Sequence, residues 1–405
     1  MLASLSLSSS FLEVPGKTIF RVCQIIGIVP LSFNFNSHTA KASTFWRCYT
    51  AVILITITAF TPGSTSTINS QMDFLKQKRL MYFVGSNRCV VLHLCAIFSV
   101  LIQLFKDRNL VYCCNQAIRI FDSLRALSID RSDVVLVAFD RNFLLRIVVK
   151  LIALWPVTQT TVFYITNDGA LENIQFLFAL LSQYYCQLVI YMTLNMFYVA
   201  TLMLTSYTRH LNRCMKRTFR EIRVLRTQPG RGNSLKMQKY CELADILDRI
   251  IGIYKKVAAL TRLVNQQYQV QICCSLVYIP IEWVVQCYFT YFIYTHNRAR
   301  FVWNFGALFF IASLFLEIFL IINATERLMR VFAETKWIVR MGAEVGKVDD
   351  RLEKMIEQFS MYLDNERTQY SLCGLINMDN RCLMMMGQCL LTSLLILIQF
   401  DTILV

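Results

Sequence analysis

The chain has 405 residues, of which 56% are hydrophobic, 13% aromatic and only 17% charged, with a mean hydropathy of +0.46. A soluble protein of this length would have to hide several long apolar runs in its core, so the composition excludes an ordinary soluble domain and indicates a polytopic membrane protein. The formal net charge of +15 is explained below by loop topology, and nucleic-acid binding is not needed to account for it.

In chain order, Met1 to Phe11 is rich in Ser and Leu and has neither a basic n-region nor a small-residue cleavage site, so no cleaved signal peptide is expected. Thr18 to Phe35 contains Arg21, Gly27 and Pro30 and is only moderately apolar; it reads as an interfacial helix within a cytoplasmic N-terminal segment, residues 1–43. Seven runs then have spanning length: Thr44 to Thr61, Cys89 to Phe105, Ile147 to Thr166, Gln175 to Thr205, Val270 to Tyr294, Asn304 to Asn323 and Cys382 to Phe400. The fold class is therefore an all-α membrane protein with seven transmembrane helices, four in 44–205, two in 270–323 and one in 382–405. The intervening segments 206–269 and 324–381 are amphipathic. Leu243, Ile246, Leu247, Ile250, Tyr254 and Val257 recur at helical spacing in the first, beyond a turn at Pro229-Gly230-Arg231-Gly232; Leu328, Val331, Phe332, Ile338, Leu352, Ile356 and Phe359 do so in the second. Such faces need burial, so the two segments should form a helical cytoplasmic anchor that holds subunits together.

Lys and Arg set the orientation. The N-terminal segment and the loops from second to third, fourth to fifth and sixth to seventh span carry 33 of them, against 6 on the opposite side. The positive-inside rule puts the N-terminus in the cytoplasm and the tail Asp401 to Val405 outside. The predicted outer loops Pro62 to Arg88, Asn167 to Ile174 and Thr295 to Trp303 contain no cysteine, so structural disulfides are not expected despite 15 cysteines. The pairs Cys113-Cys114 and Cys273-Cys274 read as small packing residues. His38, His93, His210 and His296 are scattered. No nucleophile motif, phosphate loop or metal cluster supports an enzyme, a metal site or a cofactor.

The last run carries the most information. At 100° per residue, Gln388, Thr392, Leu395, Gln399 and Thr402 fall within roughly 40° on either side of Gln388, while Leu390, Leu394 and Leu397 point elsewhere. A polar stripe on a membrane helix faces water, a ligand or a partner. Two readings stay open on the stripe alone: a pore-lining helix, or a helix packed in a bundle with its glutamines bonded to neighbours.

The stretch Cys373-Gly374-Leu375-Ile376-Asn377-Met378-Asp379, followed by Thr392-Ser393, five apolar residues and Gln399-Phe400, resembles the C-terminal signature of insect gustatory receptors. That family has tyrosine where Ser393 stands here. The motif covers the last thirty residues or so, and length, span number and cytoplasmic helices agree over nearly the whole chain. The resemblance implies a ligand-gated, weakly selective cation channel in the plasma membrane of gustatory neurons, reaching dendrites, cell bodies and axons. It also implies a homo- or hetero-tetramer with related receptors, gated by a small-molecule tastant, with Thr392 along the conduction path and Gln399 and Phe400 at the gate; on the pore-lining reading of the stripe, Gln388 and Leu395 join that path. The family's sugar-sensing branch has an acid directly after the Thr-Tyr pair, where this chain has Leu394, which favours a bitter or aversive tastant. The alternatives are a G-protein-coupled receptor or a transporter. The first would show an outer N-terminus, an Asp-Arg-Tyr-like triplet ending the third span and a disulfide to an outer loop, and Asp140-Arg141 instead precedes that span. No repeat of either topology is visible to support the second.

Candidate ligand-pocket residues lie toward the outer ends of the third to sixth spans: Tyr164, Gln183, Tyr184, Glu282, Trp283, Gln286, Tyr288, Tyr291 and Trp303. Aromatic walls with a few polar groups suit small organic ligands. Glu282 and Glu317 are intramembrane acids, functional candidates by default, with Lys150 as the alternative partner for either.

Overall fold

The computed structural model describes residues 20–34, 39–71, 79–127, 174–227, 233–296, 301–343, 350–366, 370–374 and 376–403. The expected third span Ile147 to Thr166, with Lys150 and Tyr164, the Asp140-Arg141 pair, the outer loop 167–173 and the turn Pro229 to Gly232 lie outside the described residues, as do the side chains of Trp303 and Thr402. The described elements are a hairpin of β1 (Leu31–Asn34) and β2 (Thr39–Ala42), then α1 (Thr44–Gln71), α2 (Arg79–Phe105), α3 (Asp107–Leu127), α4 (Ile174–Thr227), α5 (Asn233–His296), α6 (Phe301–Ala343) and α7 (Asp350–Asn365). A short hairpin, β3 (Ser371–Leu372) with β4 (Ile376–Asn377), leads into α8 (Asn380–Ile403). Among the described residues, six helices are long and apolar enough to cross a membrane: α1, α2, α4, α5, α6 and α8.

Span and inward extension are single helices. At 1.5 Å per residue, the 54 residues of α4 and the 64 of α5 run about 80 and 95 Å, well over twice the roughly 30 Å of a hydrocarbon core. The spans expected to end at Thr205 and Asn323 thus continue without a break into the amphipathic segments. Pro62 and Pro280 lie inside α1 and α5 without ending them, as neighbouring helices allow in a membrane bundle. Buried threonines are satisfied within their own helix: Thr193, Thr201, Thr205 and Thr208 each donate to the carbonyl four residues back at 2.8–2.9 Å.

One hydrophobic core runs through both parts, from Val189 and Ile190 in the membrane-competent part to Leu352, Ile356 and Phe359 among the amphipathic segments. Tyr254 of α5 stands edge-on to Phe332 of α6 at 5.7 Å and to Phe359 of α7 at 5.3 Å, so the residues expected to form the two amphipathic faces meet one another. Buried Asn212 donates to the Val331 carbonyl at 3.0 Å and accepts from Thr335 at 2.7 Å, fixing α4 against α6.

The N-terminal stretch departs from the expected interfacial helix. Among its described residues it is helical over 20–25 and then turns into the β1–β2 hairpin. Its free carbonyls are taken by the bundle: Tyr49 and Tyr185 donate to Ile25 and Ile26, Thr50 donates to Gly27, and Gln24 closes the turn onto the Leu31 carbonyl at 2.7 Å. Asn115 of α3 both donates to and accepts from the Ala40 backbone. Arg47, at the start of α1, pairs with buried Asp107 at 3.0 Å. Pro30 and the polar residues after it favour such a turn over a helix.

Gly342 marks the closest approach of α6 to α4, because a Cβ there would meet the ring of Phe219. A glycine-to-alanine change inside a helix ordinarily gains about 1 kcal/mol. Here we expect Gly342→Ala to lose about 1–3 kcal/mol through overpacking, read as a lower thermal midpoint of the detergent-purified protein. Adding Phe219→Leu should recover the loss. A raised midpoint in the single variant would contradict this packing.

Candidate functional site

The signature before the last helix has a mechanical role. Gly374 adopts a positive φ of 74° between β3 and β4, a conformation open to glycine at no steric cost. The hairpin is held on α5 by Asn265, which donates to the Ser371 carbonyl at 3.3 Å, and on α6 by Thr325, which donates to the Met378 carbonyl at 3.2 Å. Asp379 then accepts from the Cys382 amide at 3.0 Å, the side-chain N-cap of α8. The Cys373 to Asp379 stretch therefore fixes where α8 starts and how it leaves the bundle.

Only one face of α8 packs on its own subunit. Leu390 is buried, and Leu394 and Leu397 are half-buried, the latter two against an outer cluster that includes Val285, Tyr288 and Phe292 of α5. A groove of about 610 Å3 between the two helices is lined on α5 by Val277, Pro280, Ile281 and Val284 and on α8 by Met385, Met386, Cys389 and Ser393. On the opposite face Gln388, Thr392, Leu395 and Gln399 are all exposed, as is Phe400 on the flank between the two faces. Thr392 donates to the Gln388 carbonyl at 3.0 Å, so its hydroxyl is satisfied within the helix. The stripe expected from the sequence is thus turned away from the bundle. Exposure of α8 is broad, however: Leu391 and Ile396 are exposed as well.

Around α5 the structure sorts the candidate pocket residues. Glu282 is fully buried and its partner is Arg88 of α2, at 2.6 Å. Lys150, the partner suggested by the sequence, lies outside the described residues. Gln286 donates to the Glu282 Oε1 at 2.8 Å, Tyr278 donates to Oε2 at 3.2 Å, and Gln187 of α4 donates to the Tyr278 hydroxyl at 3.3 Å. Glu282 and Gln286 are therefore engaged with protein groups. Gln183 is buried on α4; Tyr184, Trp283 and Tyr291 are half-buried; Tyr288 is fully buried in the outer cluster beside Phe289. Tyr164 and the side chain of Trp303 lie outside the described residues. Glu317 is fully buried on α6.

Arg88, Gln187, Tyr191 and Tyr278 are not among the residues that the sequence singles out. By hydropathy Arg88 is the last residue of an outer loop, one position before the apolar run begins. The structure instead starts α2 at Arg79; the helical signal is there in the residues from Leu80 to Val84, but the charges flanking them lower the local hydropathy. His93 is also built into this region. Its Nδ1 donates to the Cys89 carbonyl at 2.8 Å, which leaves Nε2 as the acceptor 3.2 Å from the Ser64 hydroxyl. Among the described residues no group of three metal-ligating side chains occurs. Burial pushes the thiols of Cys113 and Cys114 on α3 up to about 11 and about 12, in keeping with packing residues and not nucleophiles.

A family profile described as 7tm chemosensory receptor matches residues 16–403. The chain is 27% identical to a protein named putative gustatory receptor 77a of Drosophila melanogaster, over 97% of this chain and 94% of that one. A second Drosophila melanogaster protein, named gustatory receptor for bitter taste 22e, is 25% identical over 38% of this chain and 40% of its own length. Among solved structures, the fold matches the insect olfactory receptor OR5 of Machilis hrabei with a TM-score of 0.63 at 12% identity, covering 96% of this chain and 99% of that one. The complex of the same receptor with eugenol matches at 0.60, with 14% identity over 95% and 97% of the two chains. The all-α fold of six described membrane-competent helices, the hairpin-capped final helix and a match across almost the full length make this chain a multi-pass membrane protein of the 7tm chemosensory receptor family, an insect-type gustatory receptor homologue and not an enzyme.

Proposed function

We propose that this receptor is a ligand-gated, weakly selective cation channel for small-molecule tastants, with α8 of each subunit lining a central conduction path. The observation that carries this reading is the division of α8 into a packed face (Leu390, Leu394, Leu397) and an opposite exposed stripe (Gln388, Thr392, Leu395, Gln399). Amides and hydroxyls along such a path replace part of an ion's hydration shell, and the ring of Phe400, 54% exposed, is positioned to close it by dewetting. A tetramer with itself or related receptors supplies what one subunit lacks, because α8 has only 6% of its apolar window buried within the chain. Trp337, Met341 and Met361 on α6 and α7 are exposed apolar residues of the inner segment, suited to the same assembly. The partial likeness to a bitter-taste receptor and Leu394 in place of an acid support a bitter or aversive ligand, received among Gln183, Tyr184, Trp283, Tyr288 and Tyr291. The sensory neuron, through its dendrites, cell body and axon, is the expected site of action.

The deciding experiment records from cells expressing the chain, with G-protein signalling blocked, while a panel of bitter compounds is applied. In a background lacking Cys382 and Cys389, cysteines replacing Gln388, Thr392, Leu395 or Gln399 should make the current sensitive to a small thiol reagent, and those replacing Leu390, Leu394 or Leu397 should be silent. Gln399→Ala should alter ion permeability and Phe400→Ala should raise basal leak. Loss of all current under the block, or equal reactivity on both faces, would remove this reading.

Orientation follows from the 33-to-6 distribution of Lys and Arg. A tag after Val405 should be reached by antibody on intact cells and a tag before Met1 only after permeabilisation; the reverse pattern would refute it. Assembly is checked separately by native mass measurement in lipid nanodiscs. We expect a four-subunit particle that Trp337→Glu shifts toward smaller species, and a wild-type monomer would overturn the tetramer.

A further inference from the structure

The Arg88–Glu282 pair is placed where charge is most costly, with the arginine side chain 12% exposed and the carboxylate fully buried in a segment that spans the membrane. A buried pair is weak support for stability, since well-packed apolar side chains would serve as well or better. Intramembrane charges call for a functional account. Three features give one. First, the pair joins α2 to α5 two residues beyond Pro280, where α5 lacks a backbone amide donor and bends most easily. Second, α5 has two opposed faces at this level. Tyr278, Glu282 and Gln286, four residues apart, face the charge network, while Val277, Pro280, Ile281 and Val284 line the groove against α8. Third, the hydroxyl of Tyr191 on α4 is buried near this network without a hydrogen-bond partner among the described residues. A donor held ready beside a carboxylate offers it a second set of partners.

We propose that Arg88 and Glu282 are positioning residues for α8: their pairing fixes the rotation of α5 about Pro280, and exchange of Glu282 from Arg88 toward Tyr191 turns the α5 face on which α8 rests. The consequence for current rests on the reading that α8 lines the conduction path; the movement itself does not. A change at the charge network reaches α8 through α5 alone, one face of which carries the network and the other the groove against α8.

The test pairs a conduction readout with one independent of conduction. In a background lacking Cys382 and Cys389, Val284→Cys and Ser393→Cys place two thiols across the α5–α8 groove, and their rate of copper-phenanthroline cross-linking reports its geometry. Basal sodium current is measured in parallel without the reporter cysteines. Arg88→Met with Glu282→Met removes both charges together, so that neither is left unpaired. We expect it to change both the cross-linking rate and the basal current by about fivefold or more, the lower end of ordinary coupling between sites. Arg88→Lys, which keeps the charge, should stay near wild type. Glu282→Gln, which keeps shape and hydrogen-bonding capacity, should shift the cross-linking rate in the same direction and decides the matter where the double variant fails to reach the surface. Altered cross-linking with no current from any variant or from wild type would uphold the positioning role and sink the conduction reading. Wild-type cross-linking in variants that reach the surface, with or without a change in current, would overturn the proposal and leave the pair as a folding contact.

Discussion

Backbone amides in hydrocarbon have no water to fall back on, and this constraint shapes every membrane-level part of the molecule. It explains why the described apolar runs are helices and why buried threonines of α4 bond within their own helix. Once a helix is required to cross the membrane, continuing it costs little, since each further residue adds a hydrogen bond to an existing nucleus. That is the physical basis for α4, α5 and α6 running far beyond the membrane. The amphipathic segments are thus built largely on helices that also belong to the membrane bundle, with α7 packed against them.

The final helix is the exception, and it is instructive. It is short, enters through a hairpin that α5 and α6 hold, and touches its own chain along one face. Its polar residues Gln388, Thr392 and Gln399 are exposed while Leu390, Leu394 and Leu397 turn inward, and polar groups on a membrane helix face water, a ligand or a partner. Asp379 as N-cap and Gly374 as turn residue therefore matter beyond local stability. They set the register of α8, and a slip of one residue would rotate the stripe by about 100° into the packed face.

Much of the fold was legible in the sequence because hydropathy and periodicity report burial directly. The cores of the membrane helices, the faces of the inner segment that meet at Tyr254, Phe332 and Phe359, and the two sides of α8 all followed from spacing alone. The boundaries were harder to see. Hydropathy falls where charged residues begin, but the helix does not end there, so α2 reaches back past Arg88 to Arg79 and α4 runs on past Thr205. The short hairpin of Leu31–Asn34 and Thr39–Ala42 is held by a tertiary partner, Asn115 on the Ala40 backbone, that no local pattern contains. The partner of Glu282 was likewise invisible: a charge at the edge of an apolar run looks like an interfacial anchor until the helices are packed and its neighbour 194 positions away is known.

The candidate ligand-binding region illustrates why aromatic composition alone does not define a pocket. Tyr288 and Trp283 lie five positions apart on α5, yet the first is buried in the outer cluster that touches Leu394 and Leu397 while the second packs against the main core. Residues expected to converge on one ligand thus divide between two environments, one of which is in contact with α8. An occupant that perturbs the packing of Tyr288 would press on the cluster that Leu394 and Leu397 join, whereas one that engages the face bearing Glu282 would meet the charge network instead. Both routes pass through α5, because it is the helix that presents one face to each. What the geometry establishes is that a single helix carries the polar groups Tyr278, Glu282 and Gln286 on one side and the support for α8 on the other.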